Sequence, residues 1–322
     1  MVSSGPFSML CSNFALFTPC FSENMEYNKR RIRKDDPQWT KIQKSGWYCL
    51  AAAQKAMEEL GLIPHIKAIA GTSIGSFNAL LFSCGTVDPF ALWKTITFST
   101  LLQYVDPKSP LANLFSQMKS KVFKTQAEGT QEETDSRALL TQLNQSGLGR
   151  PMLDLYKALV TENTDLSRLD TLGYPVFVCA YDIEAHCPVY FDLTKQSKDL
   201  VTEIVLASCA VPHVFPAIPI HGRMYADGGV NDPLYPVANA DNCPAIALSA
   251  TELDMLILIH LHENEPVDLS FFDGKPIVHL FPSQPLERVS GSGSFDMTQH
   301  TLLRRLALGY KDGKRVLSPL VL

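Results

Sequence analysis

The five residues Gly71-Thr72-Ser73-Ile74-Gly75 constrain this chain more than any other stretch. They stand between a short apolar run, residues 66–70, and a segment of small and apolar residues, 76–84, so the local order reads strand, tight turn, helix. In that setting a G-x-S-x-G turn bends the backbone so sharply that side chains in place of the glycines would clash, and it pushes the serine hydroxyl outward. A helix that begins just after Ser73 aims its free N–H groups and the positive end of its dipole at charge developing beside the serine, which makes the Ile74 amide a candidate oxyanion donor. The competing reading is a glycine-rich turn with a bystander serine.

The surrounding pattern places this turn in a layered fold. Leu50, Ala53, Met57 and Leu60 recur at helical spacing before a stop at Gly61, which predicts a helix over residues 47–62. Residues 174–181 and 187–192 are rich in Val, Phe and Tyr and read as a hairpin. Residues 199–210 read as a helix that stops at Pro212, residues 218–227 as a short strand with Gly222 in its turn, 255–261 as an apolar strand and 301–317 as a last helix. Helical and strand signals alternate throughout, which favours an α/β layered sheet over an all-helical or all-β fold. The polar stretch 107–150, with its charged tract 128–137 between helix-like segments 111–123 and 138–143, reads as an insertion or cap.

Composition narrows the class. With 322 residues, 46% hydrophobic and 19% charged, the chain can bury a full core as one large globular domain. A net charge of −5 gives no basic footprint, so nucleic acid is not expected as a partner. No apolar run is long enough to span a membrane. Residues 1–21 lack the basic leader of a signal peptide and read as an extension, and Lys29-Arg30-Arg31-Ile32-Arg33-Lys34 reads as a solvated linker, with contact to anionic lipid head groups as the alternative. The eight cysteines have no C-x-x-C spacing and read as buried thiols rather than a disulfide framework.

A serine hydroxyl needs a base to become a nucleophile. None of the eight histidines stands in a telling context. His260 and His262 alternate on a strand, but no third ligand is evident, so no metal site is expected. Asp227-Gly228-Gly229 stands out more, as a carboxylate at the end of an apolar strand followed by two glycines that let another backbone approach closely; a plain hairpin turn is the alternative.

Taken together these residues resemble the patatin-like phospholipase family, in which a serine in G-x-S-x-G and an aspartate in Asp-Gly-Gly or Asp-Gly-Ala act as a dyad without histidine. The likeness extends to Ala56-Met57-Glu58-Glu59-Leu60-Gly61 before the elbow, to Ser76-Phe77-Asn78-Ala79 after it, and to Ala207-Ser208-Cys209-Ala210-Val211-Pro212 and Phe215-Pro216 ahead of the aspartate. It ends on Tyr225-Ala226-Asp227-Gly228-Gly229-Val230-Asn231-Asp232-Pro233. The resemblance implies a three-layer α/β/α fold with a doubly wound, mainly parallel sheet over residues 42–322, preceded by an atypical extension at 1–41. It further implies ester hydrolysis of phospholipids or other acyl-lipids at a membrane or micelle surface, with neither metal nor cofactor. Ser73 would be the nucleophile and Asp227 the proton acceptor, which requires their side chains to meet across 154 positions of sequence.

One departure bears on activity. The family carries a glycine-rich G-G-G-x-x-G turn before the first helix, whose amides form the main oxyanion hole. This chain has Ile42-Gln43-Lys44-Ser45-Gly46-Trp47 there, leaving Gly46 as the second oxyanion candidate, and residues 34–41 before it are polar where an apolar strand would be expected. Removing one oxyanion donor typically costs on the order of a hundredfold in rate or more. Two readings follow: a lipid acyl hydrolase working through Ser73 and Asp227, or a catalytically weak or inactive lipid-binding relative. A third is a different α/β hydrolase that uses one of the histidines.

Overall fold

The apolar runs form a single sheet in the computed structural model, which describes residues 8–11, 47–96, 149–212, 215–229, 240–261, 267–284, 286 and 299–321. Its strands are β1 (Ser8–Cys11), β2 (Ile69–Thr72), β3 (Val176–Asp182), β4 (Cys187–Asp192), β5 (Ile218–Ile220), β6 (Arg223–Asp227), β7 (Leu256–Ile259) and β8 (Ile277–Leu280). The helices among the described residues are α1 (Trp47–Glu59), α2 (Ile74–Cys84), α3 (Pro89–Thr95), α4 (Gly149–Asn163), α5 (Lys198–Ser208) and α6 (Gln299–Leu317), with short 3-10 turns between elements.

The sheet order is β5-β6-β3-β2-β1-β7-β8, and β4 pairs with the other edge of β3. The run β3-β2-β1-β7-β8 is parallel, whereas β4 and β6 lie antiparallel to β3 and β5 antiparallel to β6. The order grows from β1 to β3 in one direction and from β1 to β8 in the other, the reversal that defines a doubly wound sheet. Successive side chains of a strand point to opposite faces, yet every residue of β2 and of β7 is buried, so helices cover both faces of the sheet. The mixed α/β architecture expected from the sequence is the one observed.

Within this frame the hairpin expected at 174–192 is β3 and β4, and Gly222 falls in the two-residue turn between β5 and β6, where His221 and Gly222 both have positive φ as a type I′ turn requires. The segment 1–41, read from the sequence as an extension, holds a strand of the sheet: Met9 pairs with Ile69 of β2 and with Ile257 of β7. Met9-Leu10-Cys11 is too short an apolar run to announce a strand by periodicity. The insertion at 107–150 lies outside the described residues except for 149 and 150, which open α4. No helix among the described residues is long and apolar enough to cross a membrane.

Cys84, Cys179, Cys209 and Cys243 are buried free thiols, and Cys187 at the start of β4 is half-buried. At the end of the sheet carried by β7 and β8, the His260 and His279 rings share a 2.9 Å hydrogen bond between Nε2 and Nδ1, and both stack on Phe281. One ring nitrogen of the pair must donate and the other accept. Burial, with the neighbouring His260, lowers the His279 pKa to about 4. The unfolded chain therefore binds more protons than the folded one between the ordinary histidine value of about 6.5 and about 4. Stability is expected to be undiminished above this window, to fall by up to about 1.4 kcal/mol per pH unit as pH drops through it, and to level off below, with urea titrations at stepped pH as the measurement. His279→Gln is expected to flatten that part of the slope.

Candidate active site

The sequence separation between Ser73 and Asp227 is closed by the register of one strand. β3 is longer than β2: its residues 176–179 pair with β2, ending on Thr72↔Cys179, and its residues 180–182 pair with β6, ending on Ala180↔Asp227. β4 occupies the opposite edge of β3 along 177–182, so β2 and β6 share the remaining edge and meet there end to end. Thr72 and Asp227 thus sit opposite consecutive residues of β3, and the residue after Thr72 is Ser73.

The turn at Ser73 has the geometry that its sequence predicts. Ser73 itself adopts φ 57°, ψ −129°, a conformation that a side-chain-bearing residue takes only under strain. Gly71 makes the turn feasible, since a Cβ there would lie 2.3 Å from the carbonyl oxygen of Gly75. α2 starts immediately, with Ile74 and Gly75 buried in its first turn, where backbone N–H groups have no intrahelical acceptor. Ser76 braces the turn: its Oγ and its backbone N–H both donate to the Ser73 carbonyl, at 2.6 and 2.8 Å. Asn78, one turn further along α2, donates to the Ile74 carbonyl and accepts from the Trp93 indole.

The Ser73 hydroxyl donates to Asp227 Oδ2 at 2.5 Å, with Ser73 8% and Asp227 1% exposed. The second carboxylate oxygen, Oδ1, accepts from the Gly229 N–H at 2.9 Å, which fixes the plane of the carboxylate. Gly228 is needed between them, because a Cβ at 228 would lie 2.7 Å from the Cys179 carbonyl oxygen on β3. A buried hydroxyl in contact with a buried carboxylate, one oxygen of which is anchored by backbone, is an arrangement from which a proton can be drawn off the hydroxyl.

Sequence reasoning assigned no role to the end of α5, although it holds both residues. The Ser73 N–H donates to Ser208 Oγ at 2.8 Å, Ser208 Oγ donates to the Cys179 carbonyl at 2.6 Å, and the Asp227 N–H donates to the Ala210 carbonyl at 2.9 Å. The small residues in Ala207-Ser208-Cys209-Ala210 were the available signal, since only short side chains allow a helix end this close to two strand ends. Burial, with the charge of Asp241, pushes the Cys179 thiol well above its ordinary range, so it stays protonated and unreactive beside the site.

Of the remaining expected site residues, Thr72, Ile74 and Gly75 lie in the turn and Gly229 beside the carboxylate. Gly46, the second oxyanion candidate, and His262 lie outside the described residues. His260 bonds to His279 rather than to either Ser73 or Asp227, and no group of His, Cys, Asp and Glu among the described residues is arranged to hold a metal ion. Ser208→Ala leaves the buried Ser73 N–H and Cys179 carbonyl without this hydroxyl and is expected to cost about 1–3 kcal/mol of stability, read from denaturant unfolding at neutral pH.

Comparison with known proteins gives the family. The family model described as patatin-like phospholipase matches residues 43–241. Uncharacterized NTE family proteins of Mycobacterium bovis and Mycobacterium tuberculosis are 27% identical to this chain over 203 residues, which is 62% of this chain and 44% of theirs. The chain thus matches less than half the length of those relatives. The crystal structure of VipD from Legionella pneumophila aligns with a TM-score of 0.44 at 12% identity, covering 99% of this chain and 71% of VipD. The family match takes in well over half of the chain and contains the elbow, the aspartate and the strands that carry them, and on that ground the chain belongs to the patatin-like phospholipase family.

Proposed function

We propose that this protein is a lipid acyl hydrolase that cleaves carboxylic esters of phospholipids or other acyl-lipids through an acyl-enzyme on Ser73, with Asp227 as proton acceptor. The observation that carries this reading is the direct 2.5 Å hydrogen bond from the Ser73 hydroxyl to Asp227 Oδ2 at the mouth of a strained strand-to-helix turn. Membership of a phospholipase family supports the substrate class.

In the proposed reaction Asp227 Oδ2 takes the hydroxyl proton as Ser73 Oγ attacks the ester carbonyl. The negative charge that develops on the carbonyl oxygen falls near the start of α2, where the Ile74 amide is the available donor. Collapse of the tetrahedral species returns the proton from Asp227 to the leaving alcohol, and the acyl group stays on Ser73. A water molecule, deprotonated by Asp227, then attacks the acyl carbonyl, and as the bond to Ser73 Oγ breaks Asp227 returns the proton to that oxygen and the fatty acid is released. Gly229 keeps the carboxylate turned toward Ser73 through both halves. The substrate is met at a membrane or micelle surface, and no metal or cofactor takes part.

The second reading, a lipid-binding relative with little or no turnover, is favoured by one observation: residues 42–47 contain a single glycine, Gly46, where the family has a glycine-rich oxyanion turn. A fluorophosphonate serine probe, run beside Ser73→Ala and Asp227→Asn and paired with fatty-acid release from mixed phospholipid micelles, separates the two. The hydrolase predicts labelling and release that are abolished in Ser73→Ala, and turnover lowered about a hundredfold or more in Asp227→Asn. A folded wild-type protein that binds micelles yet neither labels nor releases fatty acid would establish the second reading.

A further inference from the structure

The two strand ends that carry Ser73 and Asp227 share an edge of β3 but not a ladder with each other, so their separation is set by whatever bridges them. Besides the end of α5, one residue among the described residues spans the junction directly. The Asp241 N–H donates to the carbonyl of Gly228, the residue after Asp227, at 2.8 Å. The Asp241 carbonyl accepts from Oγ1 of Thr72, the residue before Ser73, also at 2.8 Å. A single peptide residue is therefore tied on one side to the neighbour of the nucleophile and on the other to the neighbour of the base.

The Asp241 side chain does not reach toward the reaction; it fixes its own backbone. Oδ1 accepts from the Cys243 N–H at 3.0 Å, the turn that an aspartate makes with the amide two residues on. Oδ2 accepts from the Tyr190 hydroxyl at 2.7 Å. Tyr190 lies on β4 opposite Cys179, so it anchors the bridge to the far edge of the same strand that aligns β2 and β6. Burial and the Asp241 charge hold the Tyr190 hydroxyl protonated well above the ordinary phenol range, which keeps it a donor. Next to it the approach is close: a Cβ at Gly229 would lie 2.3 Å from Oδ1 of Asn242.

We propose that Asp241 is a positioning residue that sets the spacing of Ser73 and Asp227 through the Thr72 and Gly228 backbone it joins, and that Tyr190 locks it in place. The inference rests on the reading of Ser73 and Asp227 as nucleophile and base. Since misplacing reacting groups by about 1 Å can cost a hundredfold in rate, a bridge that loosens by a fraction of that distance acts on the chemical step and not on lipid binding.

The test compares Tyr190→Phe, Thr72→Val and Thr72→Ser with the wild-type full chain, measuring the rate of fluorophosphonate labelling, kcat and KM on a micellar phospholipid, and the thermal midpoint. Tyr190→Phe and Thr72→Val are expected to lower both the labelling rate and kcat roughly tenfold at unchanged KM, while Thr72→Ser, which keeps the hydroxyl donor, recovers most of the loss seen in Thr72→Val. Variants that label and turn over at the wild-type rate, or that change KM alone, overturn the positioning role and leave the hydrolase reading standing. A rate loss of equal size in Thr72→Val and Thr72→Ser also overturns it, because the shared hydroxyl bond would then carry nothing. A wild-type protein that does not label overturns both readings together.

Discussion

One edge of β3 governs how the candidate site is assembled. A strand has two edges, and β4 takes one of them over 177–182. On the other edge β2 stops at the level of Cys179 and β6 begins at the level of Ala180. A register slip of one residue in either ladder would turn every side chain of that strand to the opposite face of the sheet and separate the serine from the carboxylate. Such a slip would put side chains of the wrong size into two close-packed layers, since β2 is buried throughout and the last three residues of β6 are buried. The hydrophobic core thereby specifies the alignment of the polar pair, and no local feature of either motif could do so alone.

The close meeting of strand ends explains where small residues and strain are concentrated. Gly71 and Gly228 each sit against a backbone carbonyl that leaves no room for a Cβ, and Ser73 adopts a backbone conformation that costs on the order of 1–3 kcal/mol. That cost is offset locally. The Ser73 N–H is received by Ser208, its carbonyl accepts from both Ser76 donors, and its hydroxyl is bonded to Asp227, so every polar group of the strained residue has a partner. The strain is thus overdetermined by hydrogen bonds from the adjoining α2 and from α5 and β6, both more than a hundred residues further along the chain.

How much of this was legible in the sequence depended on the range over which each feature is specified. The elbow was legible because strand, glycine, serine, glycine and helix are adjacent, whereas Asp-Gly-Gly alone reads equally as a hairpin turn, and Asp227 stood out only together with the elbow through the family resemblance. The long elements followed from periodicity, as in α1, α2, α5 and the β3–β4 hairpin. β1 was missed, since Met9-Leu10-Cys11 carries no pattern of its own and gains its place only by pairing on both sides with β2 and β7. Ser208, Tyr190 and Asp241 were missed as site residues for a related reason. Each acts through hydrogen bonds to groups far away in sequence, and a lone polar residue gives no hint of which partner it will meet.

The geometry also bears on how the proposed dyad would work where a triad is familiar. In a serine–histidine–aspartate arrangement the carboxylate orients the imidazole and the imidazole moves the proton. Here Asp227 contacts the serine hydroxyl directly, so the orienting task falls to something else, and the Gly229 N–H on Oδ1 performs it. A backbone amide is a more rigid orienter than a side chain, because it has no rotamers to lose once β6 is in place. A carboxylate is, however, a weaker base than an imidazole, so less of the barrier is removed by proton transfer and more must come from stabilising the oxyanion. A dyad of this kind leans on its oxyanion donors more heavily than a triad does. In the proposed hydrolase that demand falls on backbone donors, the Ile74 amide at the start of α2 among them.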